Sequence, residues 1–171
     1  MRFERPRSNQ KRVFWDSSCF LSLLNQNPDR LPALLQWIAR AEAGEIEIFY
    51  SEYALIEVGK IDSDYAGELR PEEQESRILR LFDAPYCTPI QVTRRVAALT
   101  REILRSHDRL PGKDAVHIAC ALGSEAYVLH TYDSNHLIPK SGKIGNPPLI
   151  IERPPYEDRN VLPGLEEVGT P

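Results

Sequence analysis

Short apolar runs alternate along the chain with longer segments in which apolar residues recur every three or four positions. Short runs of this kind are typical of buried strands, and the periodic segments are typical of amphipathic helices. The runs predict strands at residues 12–15, 46–50, 89–92, 126–131 and 149–151. The periodic segments predict helices at residues 19–24, 31–43, 51–60, 71–82, 93–104 and 114–122. Because strands and helices alternate, we predict an α/β fold with a mostly parallel central sheet and helices on both of its faces.

The two ends of the chain differ in composition from this alternating region. Five of the first 12 residues are basic, and we predict that residues 1–11 form a flexible basic arm. Seven of the 14 prolines lie between Pro139 and Pro171. Because proline removes backbone donors, residues 153–171 are predicted to be a loosely attached tail. The remaining residues, 12–152, are predicted to form a single domain that needs no metal merely to fold.

Composition narrows the class of protein. With 42% hydrophobic and 27% charged residues, the chain has the usage of an ordinary globular domain. Its formal net charge of −4 excludes a strongly basic protein that coats nucleic acid, so a nucleic-acid site would have to be a local patch. No apolar run approaches the roughly 18 residues of a membrane span. The three cysteines fit neither a disulfide framework nor paired zinc ligands, and we expect a cytoplasmic protein.

Four acidic residues lie where predicted strands give way to helices. Asp16 follows the first strand, Glu57 lies in the helix after the second, Asp114 opens the last helix and Asp133 follows the fourth strand. Because the carboxyl ends of parallel strands share one edge of the sheet, we expect these carboxylates at one cleft. Their mutual repulsion would raise their pKa values unless a cation neutralised them. An all-oxygen cluster predicts Mg²⁺ or Mn²⁺, and such a site suits phosphodiester hydrolysis.

Each acid also has an ordinary structural explanation. Asp16 and Asp114 stand where a helix cap is common, and taken singly each is better explained as a cap. Glu57 could pair with Lys60 on a solvated helix face, and Asp133 could belong to a turn. Only the joint placement of the acids favours a catalytic site. A non-catalytic interaction module whose acids merely cap helices therefore stays open as an alternative.

Four segments together carry a family resemblance. They read VFWDSS at residues 13–18, SEYALIEV at 51–58, DAVHIACA at 114–121 and LHTYD at 129–133. In this order and spacing they resemble the PIN-domain family, over about residues 12–138. The likeness is closest to the bacterial VapC-type toxins, which are metal-dependent endoribonucleases of toxin–antitoxin pairs.

The resemblance implies a role for particular residues. Residues that correspond to the catalytic, metal-binding acids of the family are Asp16, Glu57, Asp114 and Asp133. Ser18 and Thr131 match the polar positions that support those acids by hydrogen bonding. The implied protein is an endoribonuclease dependent on Mg²⁺ or Mn²⁺, with an RNA substrate, an antitoxin partner and a homodimeric state. A housekeeping RNA-processing nuclease, which would share the chemistry and lack an antitoxin, is the second interpretation.

Basic residues on the helix at 93–104 and beside it add a prediction about substrate. Arg94, Arg101 and Arg105 fall on the side of the helix opposite its apolar stripe, and Lys113 adjoins Asp114. We predict that these four side chains contact RNA phosphates. The alternative is an ordinary solvated helix face.

Two further residues have spacing that could suit a metal. His117 and Cys120 lie three residues apart on a predicted helix. Because no second pair of ligands accompanies them, we predict that both belong to the core.

Overall fold

The computed structural model describes residues 11–59 and 71–157. A parallel sheet of five strands lies at its centre, with the strand order β3-β2-β1-β4-β5. The strands are β1 (Lys11–Trp15), β2 (Ile46–Ser51), β3 (Cys87–Ile90), β4 (Val128–His130) and β5 (Ile150–Glu152). The predicted α/β fold is thus confirmed, and the sheet is parallel throughout.

Helices cover both faces of the sheet. They are α1 (Ser17–Leu24), α2 (Leu31–Glu42), α3 (Tyr53–Glu57), α4 (Pro71–Phe82), α5 (Arg94–Ser106) and α6 (Gly112–Gly123), with a short 3-10 helix at Ile138–Lys140. Within the described ranges, no helix is both long enough and apolar enough to cross a membrane.

The core divides along the alternation of side chains in β1. Val13 and Trp15 pack on one face with residues of α1, α2 and α4, whereas Phe14 packs on the other face with residues of α5 and α6. Successive strand residues point to opposite faces, so a short apolar run such as this one supplies both layers. Full burial of side chains of this size stabilises the fold by about 1.5–3 kcal/mol each.

The order of the strands determines where a cleft forms. β1 pairs with β2 on one side and with β4 on the other, so that Phe14 lies between Phe49 and Leu129. The strands β2 and β3 therefore extend the sheet on one side of β1, and the later strands β4 and β5 extend it on the other side. Open parallel sheets bind ligands at this type of switch point, beyond the carboxyl ends of the strands.

Two predicted elements differ from the structure near β3. The third strand runs over Cys87–Ile90 instead of 89–92. Pro89 is tolerated within it because β3 is an edge strand. The helix predicted over 51–60 is only Tyr53–Glu57, since Ser51 still pairs with Ile90 in the sheet. Lys60 lies outside the described residues.

The predicted boundaries at the two ends also shift. Lys11, assigned to the basic arm by prediction, is the first residue of β1. The start of the predicted tail is fixed on α2, because Trp37 Nε1 donates to the carbonyl of Pro155 at 2.9 Å. Gln36 exchanges two hydrogen bonds with the backbone of Glu157, at 2.7 and 2.8 Å. The rest of the predicted arm and tail lies outside the described residues.

His130 of β4 is a buried histidine with an unusual environment. Its ring is fully buried and packs edge-on against Trp37, with centroids 4.4 Å apart. Neither ring nitrogen has a hydrogen-bond partner among the described residues. Burial, with a smaller effect of Arg40, lowers the pKa of His130 from 6.5 to about 3. The folded protein therefore holds this ring neutral.

We expect His130 to make stability depend on pH. The unfolded chain takes up a proton below its ordinary pKa of 6.5, whereas the folded chain does so only near pH 3, so stability falls as the pH falls through this window. The slope from this group is about 1.4 kcal/mol per pH unit. Urea unfolding of wild type and His130→Leu between about pH 7 and 5 measures it. A difference between the two proteins that stays constant with pH would refute the prediction.

Candidate functional site

Asp16 lies directly after β1 and both of its carboxylate oxygens are engaged. Oδ1 accepts from the backbone N–H of Ser18 at 3.0 Å and of Cys19 at 3.3 Å, which caps α1 as predicted. The same oxygen accepts from Ser18 Oγ at 2.6 Å, and Oδ2 accepts from Thr131 Oγ1 at 2.6 Å. Asp16 is only 3% exposed, and burial raises its pKa despite these hydrogen bonds. Helix capping explains the backbone contacts, but it does not explain the bond from Thr131.

The hydroxyls of Ser18 and Thr131 tie the start of α1 to the end of β4. Ser18 Oγ accepts from the backbone N–H of Tyr132 at 2.8 Å. Thr131 Oγ1 accepts from the backbone N–H of Asp133 at 2.9 Å. Each hydroxyl thus donates to Asp16 and accepts from the segment that carries Asp133, so the two acids are held in one network.

Asp114 is the third residue of α6 and does not cap it. The residue before the helix is Pro111, and no side chain caps this end. Asp114 is 4% exposed, and its Oδ2 has no hydrogen-bond partner within the described part of the chain. Burial, followed by the charge of Asp133, raises the pKa of Asp114. A buried carboxylate oxygen without a hydrogen bond is costly, and a neighbouring positive charge would offset that cost.

Asp133 and His136 lie beside Asp114. Ligand atoms of the three residues lie within 4.8 Å of one another. His136 Nδ1 is 3.2 Å from Asp133 Oδ2 and 3.7 Å from Asp114 Oδ2. Asp133 Oδ1 accepts from the backbone N–H groups of Asn135 and His136, which forms the predicted turn. Although burial opposes ionisation, these hydrogen bonds lower the pKa of Asp133.

Glu57, the last residue of α3, is bound by side chains from two other helices. It accepts a short hydrogen bond from Ser17 Oγ, and its Oε2 is 2.6 Å from His117 Nε2. Lys113 Nζ lies 3.3 Å from its Oε1. Burial opposes ionisation, but His117, Ser17 and Lys113 together lower the pKa of Glu57 to about 2. The alternative pairing of Glu57 with Lys60 falls outside the described residues.

His117 and Lys113 connect the four acids electrostatically. His117 is 1% exposed, which fits the predicted core position. Its proximity helps to lower the pKa of Glu57, and it opposes the larger effect of burial, which raises the pKa values of Asp16 and Asp114. The pKa of Lys113 is raised chiefly by Glu57 and further by Asp114 and Asp133. Asp114 and Asp133 thus lie together with His136. Asp16 is connected to Asp133 by the hydrogen bonds of Thr131. Glu57 is connected to Asp114 and Asp133 by the charge of Lys113.

The arginines predicted to contact substrate are exposed on α5. Val96 and Ile103 of the predicted apolar stripe are buried together with Thr100, and Leu99, its third member, is half-buried. Within the described part of the chain, no carboxylate lies within 4.0 Å of the guanidinium groups of Arg94, Arg101 and Arg105. Their contact with RNA stays a prediction.

The donor groups of this site fit a divalent cation. Carboxylate oxygens suit Mg²⁺ and Mn²⁺, and the unpartnered Oδ2 of Asp114 faces the imidazole of His136 across 3.7 Å. His136 adds a nitrogen donor, which the prediction of an all-oxygen cluster did not include. Asp16 and Glu57 do not join a compact group of this kind among the residues that the structure describes.

Sequence reasoning missed His136 and the polar role of His117. Each lies three residues after an acid of the predicted quartet, Asp133 and Asp114 respectively. That spacing places two side chains on one side of a helical turn. It was the available signal for both histidines.

Three solved structures share this fold. VapBC2 from Rickettsia felis, bound to a DNA fragment from its promoter, is 17% identical, with 83% of this chain and 98% of that chain covered and a TM-score of 0.56. VapC20 from Mycobacterium tuberculosis, a sarcin–ricin loop cleaving toxin, is 16% identical, with 72% and 91% covered and a TM-score of 0.53. DNA-bound VapBC from Salmonella typhimurium is 13% identical, with 84% and 98% covered and a TM-score of 0.56.

The chain also matches the model of a protein family. A search of curated proteins finds no significant match. The family model of the PIN domain matches residues 13–139, which include the last three residues of the central strand β1, both residues of the Asp114–Asp133 pair and the two supporting hydroxyls. The protein belongs to the PIN-domain family.

Proposed function

We propose that the protein is a cytoplasmic endoribonuclease that hydrolyses RNA phosphodiester bonds with the help of Mg²⁺ or Mn²⁺. The observation that carries the proposal is the buried Oδ2 of Asp114, which accepts no hydrogen bond from the described residues and lies beside Asp133 and His136. A cation there would offset the cost of burying this charge. Membership of the PIN family, together with the likeness to an RNA-cleaving toxin, supports RNA as the substrate.

The residues that would hold the metal are Asp16, Glu57, Asp114 and Asp133. A divalent ion supplies stabilisation of the charge that develops on a phosphodiester as its bond breaks. The chain's own part is orientation: Ser18 and Thr131 fix the carboxylate of Asp16 from both oxygens. Ser17 and His117 keep Glu57 ionised, since its pKa of about 2 is far below neutrality.

Positive side chains would hold the RNA backbone against this acidic site. We assign that role to Arg94, Arg101, Arg105 and Lys113, as the sequence predicts. These exposed arginines have no acidic partner among the described residues, and they suit phosphate because the guanidinium donates two parallel hydrogen bonds. Lys113 would exchange its contact with Glu57 for a contact with a substrate phosphate.

Cleavage of labelled RNA tests the proposal. The full chain is incubated with a single-stranded RNA, a hairpin RNA and a DNA of the same sequence, in Mn²⁺, in Mg²⁺ or in EDTA. We expect cleavage of RNA in either metal, none in EDTA and recovery when metal is added back. Intact RNA under every condition, or cleavage that persists in EDTA, would contradict the proposal.

Lys113→Met is expected to tighten the binding of Mn²⁺. Lys113 Nζ lies 3.3 Å from Glu57 and is 56% exposed, so it competes with a metal for that carboxylate. Exposed ion pairs are worth at most about 1 kcal/mol, so affinity should rise by no more than roughly fivefold. Calorimetric titration with Mn²⁺ measures this, with Lys143→Met as the control because Lys143 donates to a backbone carbonyl instead. Unchanged or weaker Mn²⁺ binding by Lys113→Met would contradict the competition.

An antitoxin protein is the proposed partner. Two of the similar structures are VapBC assemblies, and an apolar groove of about 370 Å³ lies between α1, α2 and α4, lined by Leu23, Leu24, Leu31, Leu35 and Leu81. Leu35 is 50% exposed. The resemblance further suggests a homodimer, which stays a prediction.

Bacterial expression tests the toxin role. We expect the wild-type chain to arrest growth, Asp16→Asn to be harmless, and co-expression of a cognate antitoxin, sought as a short gene next to this one, to restore growth. Active nuclease that is harmless when expressed alone would favour the alternative, an RNA-processing enzyme without an antitoxin.

A further inference from the structure

Tyr132 lies between two residues of the candidate site, Thr131 and Asp133. Its backbone N–H donates to Ser18 Oγ at 2.8 Å, and this hydroxyl also donates to Asp16. The network that orients the acids therefore also fixes the position of Tyr132. Its phenolic oxygen is buried and has no hydrogen-bond partner among the described residues. Hydrogen bonding of the Tyr132 hydroxyl to the described residues therefore does not explain why a tyrosine occupies this position.

Arg30 covers the face of that ring. It is the residue before α2, and its guanidinium carbon is 4.4 Å from the centroid of the Tyr132 ring. Its Nη1 donates to Ser22 Oγ at 2.9 Å, which fixes the plane of the guanidinium. No carboxylate lies within 4.0 Å of it in residues 11–59 and 71–157. Most of its five N–H donors are thus without an anionic partner.

A second arginine lies within electrostatic range of the same ring. The charges of Arg30 and Arg153 both act on the phenol of Tyr132. Arg153 is exposed and directly follows β5, which pairs with β4. Two positive charges therefore lie near the start of the segment that carries Asp133.

We propose that Arg30, held on the face of Tyr132, binds an RNA phosphate next to the one that is cleaved. The inference rests on the proposed endoribonuclease function. A cluster of carboxylates repels the RNA backbone, so tight binding needs fixed positive charge beside it. A guanidinium already stacked and hydrogen-bonded loses little conformational entropy when it binds phosphate. Arg30 thus forms a phosphate subsite distinct from Lys113 and from the arginines of α5.

Cleavage kinetics of Arg30→Gln test the subsite. The control is Arg80→Gln, which removes the same charge from an exposed position on α4. We expect Arg30→Gln to raise KM for RNA roughly tenfold with kcat nearly unchanged, since a hydrogen bond to a charged group is lost. Arg80→Gln should match the wild type. Melting temperatures of all three proteins verify that each is folded.

Salt dependence supplies a second readout. The affinity of a labelled single-stranded RNA is measured at several salt concentrations in EDTA and in the Asp16→Asn background, which is expected to slow cleavage by more than about 100-fold. Removal of one phosphate contact reduces the slope of log K against log salt by about 0.7 for a single strand. We expect this reduction for Arg30→Gln and none for Arg80→Gln.

The outcomes separate the subsite from the proposed function. An active wild type, with Arg30→Gln equal to Arg80→Gln in KM and salt slope, would overturn the subsite alone. A wild type that neither cleaves nor binds RNA would overturn the endoribonuclease function and the subsite with it. If Arg30→Gln weakened only the binding of a protein partner, the Arg30–Tyr132 pair would belong to a protein interface, and the phosphate subsite would be refuted.

Discussion

Asp16→Asn is expected to lower kcat/KM for RNA cleavage by more than about 100-fold. Loss of a residue that only supports a metal ligand typically costs about 10- to 100-fold, so the expected loss is larger than that. The substitution removes a negative charge from a carboxylate that four hydrogen bonds hold in place. An amide has only one oxygen, so it neutralises a cation poorly and cannot accept from both Ser18 and Thr131 as before. Initial rates with labelled RNA in Mn²⁺ measure the loss.

The fold of Asp16→Asn should survive, which separates catalysis from stability. Asparagine is as good a helix cap as aspartate, so the free energy of unfolding should change by less than about 1 kcal/mol. Asp29→Asn is the matched control, because Asp29 is exposed in the loop between α1 and α2. Wild-type cleavage rates in Asp16→Asn, or equal losses in both variants, would contradict the assigned role.

Asp114→Asn is expected to change stability in opposite directions with and without metal. In EDTA the variant should be more stable than the wild type, because it removes a buried charge whose pKa is already raised by burial and by Asp133. In saturating Mn²⁺ the wild type should gain about 2.7 kcal/mol at a hundredfold excess over the dissociation constant. The variant should lose most of this gain. Thermal unfolding of both proteins with Mn²⁺, Mg²⁺ and EDTA measures the reversal.

A purely structural Asp114 would behave differently. If its carboxylate stabilised α6, Asp114→Asn would lower the melting temperature equally in every solution. Asp108→Asn, at an exposed position before the same helix, controls for general loss of negative charge. The metal-dependent reversal is therefore specific to a cation at Asp114, and its absence would favour the non-catalytic interaction module.

The sheet could be predicted from the sequence because its central strands are short apolar runs with clear ends. β1 and β4 follow this pattern, and their parallel pairing follows from the alternation of strands and helices. β3 is less apolar, contains Pro89 and lies at the edge, so burial does not determine where it begins. The contact of Trp37 with Pro155 also escaped prediction, because it joins positions that are 118 residues apart.

Part of the candidate site could also be predicted from the order of strands and helices. Topology alone places acids that follow parallel strands at one edge, which is why Asp114 and Asp133 could be expected near each other. Local patterns could not reveal that Glu57 binds His117, because 60 positions separate them and either residue has a simpler local explanation. Capping, likewise, was correct for Asp16 and wrong for Asp114, because α6 begins at Gly112 and Asp114 is its third residue.

A crystal structure grown with MnCl₂ tests most directly whether the acids form a divalent-metal site. Data collected at a wavelength where manganese scatters anomalously locate the ion without assumptions about the protein. We expect an anomalous peak within ligand distance of Asp114 and Asp133, and we expect this peak to be absent from crystals of Asp114→Asn. A peak bound only by other residues, or none at a concentration of Mn²⁺ that supports cleavage, would contradict it.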